Sequence, residues 1–356
     1  MYAVIMAGGR GTRFWPKSRE KMPKHLLDIF GKKTIIQETV ERIEPLIPAK
    51  NILIVTGASH SDEVIRQLPE LPEENIIIEP VGRNTAPCIG LAAMYIKKMN
   101  PEGVMVVLPS DHYIPDEEVF RRTLAIASEM AQRGNYLLTI GIKPTGPETG
   151  YGYMEQGEPV AAVMGEDVFQ VRSFREKPDI EQAEAFLRDG GFFWNSGMFI
   201  WKASTILHEI EKLLPDLYEG LLKIEAAIGT DREKDVIGKV YREIAPISVD
   251  YGVMEKSGET LLVRGEFGWS DVGSWNALWE VWDKDENGNA VRGRLVSVDS
   301  SNSLVYSPDK LVALVGVEDL VVVETADSIL VCKREASQDV KKLVEMLEEK
   351  NMKEYL

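Results

Sequence analysis

The chain has 356 residues, beyond the usual domain size of about 100–150, and 44% of them are apolar, so a sizeable core and a second, smaller folding unit are expected. Fifty-seven acidic against forty-one basic side chains leave a formal charge of −16, which argues against a surface built to grip nucleic acid or anionic lipid; an anionic ligand has to be held locally. Cys88 and Cys332 stand apart, outside any metal-ligand or CxxC spacing, and no apolar run approaches the roughly 20 residues of a membrane span, so a cytoplasmic protein without disulfide framework, signal peptide or membrane anchor is expected.

From the start to about residue 142, short apolar runs alternate with segments of helical period, the pattern of a parallel sheet wrapped by helices. Strands are expected at 2–6, 52–55, 76–78, 104–108 and 136–140. Ile36, Val40 and Ile43 mark one amphipathic helix face; Phe120, Leu124 and Ala127 mark another, with Asp116 as its N-cap. From Gly150 to about Val263 the rhythm loosens into extended pieces at 168–174, 192–201 and 247–249 mixed with helices, as for a layer that covers a substrate. The polar cluster at 283–289 reads as a linker. Beyond it, β-rich runs at 295–298, 304–306, 311–317, 320–323 and 329–332 follow one another with no helix between them. A final amphipathic helix carries Val340, Leu343, Val344 and Leu347 on one face, with Ser337 as its N-cap. The expected division is 1–285 for an α/β, Rossmann-like domain with a mostly parallel central sheet, and 286–356 for a small C-terminal β domain with a terminal helix.

The loop after the first strand, Ala7-Gly8-Gly9-Arg10-Gly11-Thr12-Arg13, joins glycines that let backbone N–H groups approach a phosphate to two arginines that add charge. It is not a dinucleotide fingerprint, since Phe14 stands where Gly or Ala is needed, nor a Walker loop, since Arg13-Phe14-Trp15 lacks the Gly-Lys-Ser/Thr ending. It reads as a phosphate cradle of another type, against the plain alternative of a glycine-rich turn. More cations follow, and Pro23 stiffens the segment that presents Lys24.

Two acidic segments sit where ligands bind in open α/β sheets: Pro109-Ser110-Asp111-His112, directly after an apolar strand, and Trp269-Ser270-Asp271-Val272-Gly273. Each Asp is a candidate for a hard cation, although an Asp after a strand more often caps a helix or turn. Glu176-Lys177-Pro178 pairs an acceptor with a cation, and Trp194-Asn195-Ser196-Gly197 sets a polar amide in an aromatic run, where burial demands a hydrogen-bond partner. Tyr151-Gly152-Tyr153 and Arg83-Asn84-Thr85-Ala86-Pro87 complete the set.

Taken together with Phe14-Trp15-Pro16 and Asp250-Tyr251, these segments stand in the order seen in bacterial mannose-1-phosphate guanylyltransferases (GDP-mannose pyrophosphorylases), which the chain resembles over nearly its whole length. The resemblance implies a nucleotidyltransferase domain followed by a β-helix-like one, and the transfer of a guanylyl group from GTP to mannose 1-phosphate by direct, Mg²⁺-assisted displacement. It implies catalytic parts for Arg13, Lys24, Asp111 and Asp271. It places Ala7, Gly8, Gly9, Gly11, Thr12, Arg13, Asn84, Thr85, Pro109 and Asp111 around the nucleotide, with Lys24 at the α-phosphate and Asn84 and Thr85 near guanine. Gly152, Tyr153, Glu176, Lys177, Asn195 and Asp271 would lie around the sugar phosphate, and Asp111 and Asp271 on the metal. One departure is His25-Leu26-Leu27, where members commonly carry Gln-Phe-Leu. Many relatives also continue into an isomerase domain, so a monofunctional enzyme is expected; the small β domain, with too little core to stand alone, is expected to pack on the catalytic domain or to form a homodimer. Three other readings remain: a pyrophosphorylase for another base or sugar, a glycosyltransferase, for which the DxD motif is missing after the strand at 104–108, and a non-catalytic sensor of GDP-mannose.

Overall fold

Six residues, five of them apolar and most fully buried, make the first strand of a nine-stranded sheet in the computed structural model, which describes residues 1–9 and 11–356. The strands are β1 (Tyr2–Ala7), β2 (Ile52–Gly57), β3 (Ile76–Glu79), β4 (Val104–Pro109), β5 (Leu137–Ile142), β6 (Tyr153–Val163), β7 (Glu166–Arg175), β8 (Phe192–Lys202) and β9 (Thr260–Gly265). Their order is β3-β2-β1-β4-β8-β5-β9-β7-β6. The first four are mutually parallel, as their continuous apolar character requires, and β5 pairs parallel with β9. β8 runs antiparallel between β4 and β5, and β6 and β7 form an antiparallel ribbon at the far edge. All five strands expected before residue 142 are present, each extended by a residue or two at its carboxyl end, and Asp116 caps helix Glu117–Arg133 by accepting from the Val119 N–H.

The chain divides into two compact units. The first comprises Met1–Gly8, Thr39–Ser110 and Ile114–Trp269 and holds the whole large sheet. Its core is built on helix Thr85–Met99, which is buried along most of its length beside Phe199, Trp201, Leu221 and Tyr241.

The second unit comprises Gly9–Glu38, Asp111–Tyr113 and Ser270–Leu356. It contains four strands, β10 (Ala290–Val298), β11 (Leu304–Val315), β12 (Leu320–Glu324) and β13 (Ile329–Lys333). Parallel neighbours ordinarily need a long crossover, but β10, β11 and β12 pair in parallel through short turns because the chain coils, each rung lying on the last. Ala290, Leu304 and Val321 thus stack in register and are fully buried. The core adds Phe14, Trp15, Leu27, Ile29, Ile35, Trp275, Trp282, Val340 and Val344.

Four expectations are corrected. Residues 247–249 form no strand: Ile247 makes two backbone hydrogen bonds to the Arg83–Ala86 segment, and the chain then enters a π-helical turn, Asp250–Met254. Residues 283–289 are no free linker but a closed turn, in which the Asp285 carboxylate accepts from the Asn287 and Asn289 N–H groups at 2.9 and 2.8 Å and Asn289 is fully buried. The runs at 304–306 and 311–317 belong to one bent strand, β11, since Ser307 pairs with Gly293 at a register shift. Ser337 lies inside a 3-10 helix, Arg334–Asp339, so helix Val340–Glu349 begins later, behind Asp339.

Gly293, at the bend of β10, has φ +123°, and a Cβ there would overlap the Ser307 carbonyl. Gly293→Ala should therefore cost at least about 1–3 kcal/mol, read as a lower Tm by calorimetry with the first unit's circular dichroism retained at low temperature; an unchanged Tm would count against this register.

Candidate active site

Gly11 sets the geometry of the glycine loop. Its φ is +61°, and a Cβ would come within 2.6 Å of the Lys24 Cβ and backbone nitrogen, so the loop rests directly on the segment that carries Lys24. The Gly11 carbonyl accepts from the Phe14 N–H at 3.0 Å and the Ser18 hydroxyl at 2.8 Å, and the buried Phe14 ring packs on Trp275. The short turn Thr12–Phe14 leaves Arg13 exposed. The loop's other arginine, Arg10, lies outside the described residues.

The Lys24 ammonium is almost fully buried and donates to Asp111 Oδ2 at 3.0 Å and to the Asp271 backbone carbonyl at 2.6 Å. Two backbone hydrogen bonds between Tyr113 and Ser270, at 2.9 and 3.0 Å, tie the two acidic segments together. Val272, next to Asp271, has φ +46°, a conformation that is costly for a β-branched residue. Its side chain is locked in the core and its N–H bonds to Ser270 Oγ, so the packing sustains the strain and fixes the path of the chain around Asp271.

Gly11, Arg13, Lys24, Asp111 and Asp271, with Thr12, surround a cavity of about 310 Å³. Burial pushes the Asp111 carboxyl up, but Lys24, His112 and His25 outweigh it and hold the group below its ordinary value. His25, the departure noted in the sequence, is thus a buried neighbour that adds to the positive side of this balance. An ammonium, a guanidinium and glycine N–H groups beside two carboxylates suit a polyphosphate and a hard cation. No cluster of three or more His, Cys, Asp or Glu side chains that could hold a metal occurs among the described residues, so such a cation would need phosphate and water as further ligands.

A second group lies in the first unit. Asn195, on β8, donates its amide to Asp250 Oδ1 at 2.8 Å and accepts from the Thr139 hydroxyl at 3.0 Å. Gly152 lies so close to Glu176 that a Cβ would overlap the Glu176 carboxylate, and the Gly152 carbonyl accepts from the Asn195 N–H. Lys177, with φ +47°, extends into solvent 3.5 Å from Glu176 Oε1. Burial, reinforced by Asp250, pushes the Glu176 carboxyl up to about 7 against the pull of Lys177; burial also raises Asp250. Glu176 Oε2 is buried without a hydrogen-bond partner, so this cluster offers protonatable groups and an amide to a polyhydroxylated ligand.

The remaining candidates, Gly9 apart, lie in the first unit. Asn84 has φ +70° and caps helix Thr85–Met99, and the Thr85 hydroxyl accepts from the Val249 N–H at 2.8 Å. Arg83 is spent on the Tyr241 and Arg242 carbonyls. Ala7 ends β1, Pro109 ends β4, and Tyr153 is fully buried with its ring on Phe186, a packing contact. Gly8 follows β1, and Gly9 opens the second unit.

Two residues gain weight only here. Asp250 entered the sequence reading as part of a motif, without a role. Glu79, at the carboxyl end of β3, is buried, has an unpartnered Oε1 and lies about 3.8 Å from the Cβ position of Gly8; burial pushes it up to about 7. Its one sequence signal is an acidic residue closing an apolar strand.

Between 4.5 and about 7 the folded chain holds a proton on Glu176 that the unfolded chain has released, so this group's contribution to stability falls as pH rises through that window. Glu176→Gln should accordingly gain in Tm relative to the unsubstituted chain as pH rises across the same window. A Tm difference independent of pH would refute the burial described.

Comparison with known proteins bears on this pair of clusters. Residues 2–288 match the Nucleotidyl transferase family model, and residues 293–347 match the MannoseP isomerase/GMP-like beta-helix domain. A mannose-1-phosphate guanylyltransferase of Klebsiella pneumoniae is 44% identical across 99% of this chain and 75% of its own. One of Escherichia coli (strain K12) is 42% identical across 98% of this chain and 73% of its own. A crystal structure from Thermus thermophilus, described as a mannose-1-phosphate geranyltransferase, superposes with a TM-score of 0.86 at 36% identity, covering 98% of this chain and 99% of that one. By these matches the chain belongs to the mannose-1-phosphate guanylyltransferase family of nucleotidyl transferases.

Proposed function

We propose that this chain transfers the guanylyl group of GTP to mannose 1-phosphate, giving GDP-mannose and pyrophosphate. The observation that carries the reading is the cavity in which Arg13, Lys24, Asp111 and Asp271 converge, in a chain 44% identical to a mannose-1-phosphate guanylyltransferase. A sugar-phosphate oxygen forms a bond to the α-phosphorus, the bond from that phosphorus to the bridging oxygen breaks, and its electron pair leaves with pyrophosphate. No protein nucleophile is needed, so the residues act by position and charge.

Backbone N–H groups of Gly8, Gly9 and Gly11 and the Arg13 guanidinium hold the triphosphate. Lys24, fixed beside Asp111, offsets charge at the α-phosphate. Asn84 and Thr85 lie near guanine; Gly152, Glu176 and Asn195 take mannose, and the exposed Lys177 its phosphate. The paired hard-oxygen donors Asp111 and Asp271 fit Mg²⁺, which, when bound, neutralises charge on the phosphates. In this reading catalysis belongs to residues 1–285 and the β domain is 286–356, with Gly9–Glu38, Asp111–Tyr113 and residues 270–285 of the former packed in one compact unit with the latter. A homodimer is also part of this reading: Val296 and Val298 on β10 and Leu311 and Val315 on β11 are more than half exposed, and Val298 pairs with Val315 in register, an apolar sheet face suited to a second copy.

Pyrophosphate release measured over a grid of nucleoside triphosphates and sugar 1-phosphates should peak with GTP and mannose 1-phosphate; faster turnover of UTP or dTTP sinks the reading. Asp111→Asn and Asp271→Asn should each lose about 10²–10³ in rate. Their stabilities should differ. Asp111→Asn strips a buried lysine of its counter-charge and lowers Tm, whereas Asp271→Asn keeps the backbone carbonyl that Lys24 uses and lowers Tm less. Near-normal magnesium-dependent turnover in both variants would reduce these carboxylates to turn caps. Sedimentation should give a dimer for the native chain and a monomer for a Val298→Glu, Val315→Glu double variant; a native monomer would end that part of the proposal.

A further inference from the structure

The cavity that holds Lys24 is also lined by Lys341, a residue the chemistry above leaves unused. Lys341 stands in the first turn of helix Val340–Glu349. On that helix Val340 and Val344 are buried in the core that includes Phe14 and Trp15, and Leu343 and Leu347 pack against the same cluster. Those contacts lock the rotation of the helix about its axis, and with it the direction in which Lys341 leaves the backbone. The side of the helix from which Lys341 leaves therefore follows from the core.

The two lysines of the cavity are held very differently. Lys24 is buried and committed to Asp111 and the Asp271 carbonyl. Lys341 has a 3.5 Å pair with Glu345, one turn along the same helix, and both side chains are more than half exposed. A pair of this kind holds a lysine weakly, so its ammonium is available to a stronger anion. A triphosphate is such an anion: Lys24 is placed for one phosphate, and the others need counter-charge in a protein whose net charge is −16. Lys342, the next residue, pairs with Asp339 at 2.8 Å and does not line the cavity, which makes it an internal control.

We propose that Lys341 binds the β- and γ-phosphates of the nucleotide, and so the departing pyrophosphate. This rests on the activity proposed above. As the new bond to the α-phosphorus forms and the bond to the bridging oxygen breaks, the electron pair passes to that oxygen; Lys341 keeps its proton and offsets the charge that develops on the leaving group. The C-terminal helix thereby contributes a group that touches substrate, in addition to closing the core.

The test is titration calorimetry of inorganic pyrophosphate, with magnesium present, into the full chain and into Lys341→Met, Lys341→Arg and Lys342→Met. Loss of one charge-assisted contact should weaken binding by about tenfold or more in Lys341→Met. Lys341→Arg should largely restore it, and Lys342→Met should bind like the unsubstituted chain. In turnover, Lys341→Met should raise the KM for pyrophosphate in the reverse direction and leave the KM for mannose 1-phosphate unchanged. A lack of pyrophosphate binding by the unsubstituted chain, unchanged binding in Lys341→Met, or an equal loss in Lys342→Met overturns the proposal. Because pyrophosphate carries neither base nor sugar, a chain that used other substrates would fail the functional reading while the titration still showed whether Lys341 binds phosphate.

Discussion

The buried ammonium of Lys24 is the joint on which the second unit's cavity is built. A cation removed from water must be paired and hydrogen-bonded, or the fold bears a large penalty. Lys24 meets that demand with one carboxylate oxygen and one backbone carbonyl, drawn from segments far apart in sequence. Gly11 lies against its Cβ, so the glycine loop inherits its position from the same residue. The Tyr113–Ser270 bridge and the strained Val272 then hold both acidic segments to the lysine. Few of these residues could move without leaving a charge unpaired or a side chain overlapping a backbone.

The first unit's cluster works on an opposite electrostatic plan. There the carboxyl groups of Glu176 and Asp250 are pushed up by burial instead of being drawn down by cations, and an amide is shared between Asp250 and Thr139. The Glu176 carboxyl, pushed up to about 7, can donate as well as accept, which suits the hydroxyls of a sugar. Fixed opposite charges suit phosphate. Burial pushes carboxyls up in both clusters; the difference is set by the neighbouring cations, which outweigh burial at Asp111 and do not at Glu176 or Asp250.

Much of this was legible in the sequence, for reasons that differ by element. The parallel strands announce themselves because burial on both faces leaves uninterrupted apolar runs, as in Val104–Pro109, and Asp116 caps by a local rule. Resemblance then located Lys24, Asp111 and Asp271 as a set, but their hydrogen bonds are tertiary and have no local signature. The strand expected at 247–249 failed because Ile247 is recruited by Arg83 and Ala86, a partner no window of sequence contains. Asp283–Asn289 looked like a linker since Asp and Asn also build closed turns. Glu79 escaped notice, and Asp250 entered only as part of a motif without a role, because a carboxyl's importance here lies in its burial.

The second unit is assembled from the beginning and the end of the sequence, and this has a bearing on how the protein is made. Phe14, Trp15, Leu27, Ile29 and Ile35 are covered by Trp275, Trp282, Val340 and Val344. On the ribosome the first group emerges early and stays without its apolar cover until the last stretch has been synthesised. At about 5–20 residues per second that interval is on the order of ten seconds or longer. The large sheet can form in the meantime, whereas the glycine loop and Lys24 acquire their packed surroundings only once residues 270–344 have emerged. Until then the cavity around Lys24 is not organised, and the apolar side chains among residues 14–35 remain uncovered.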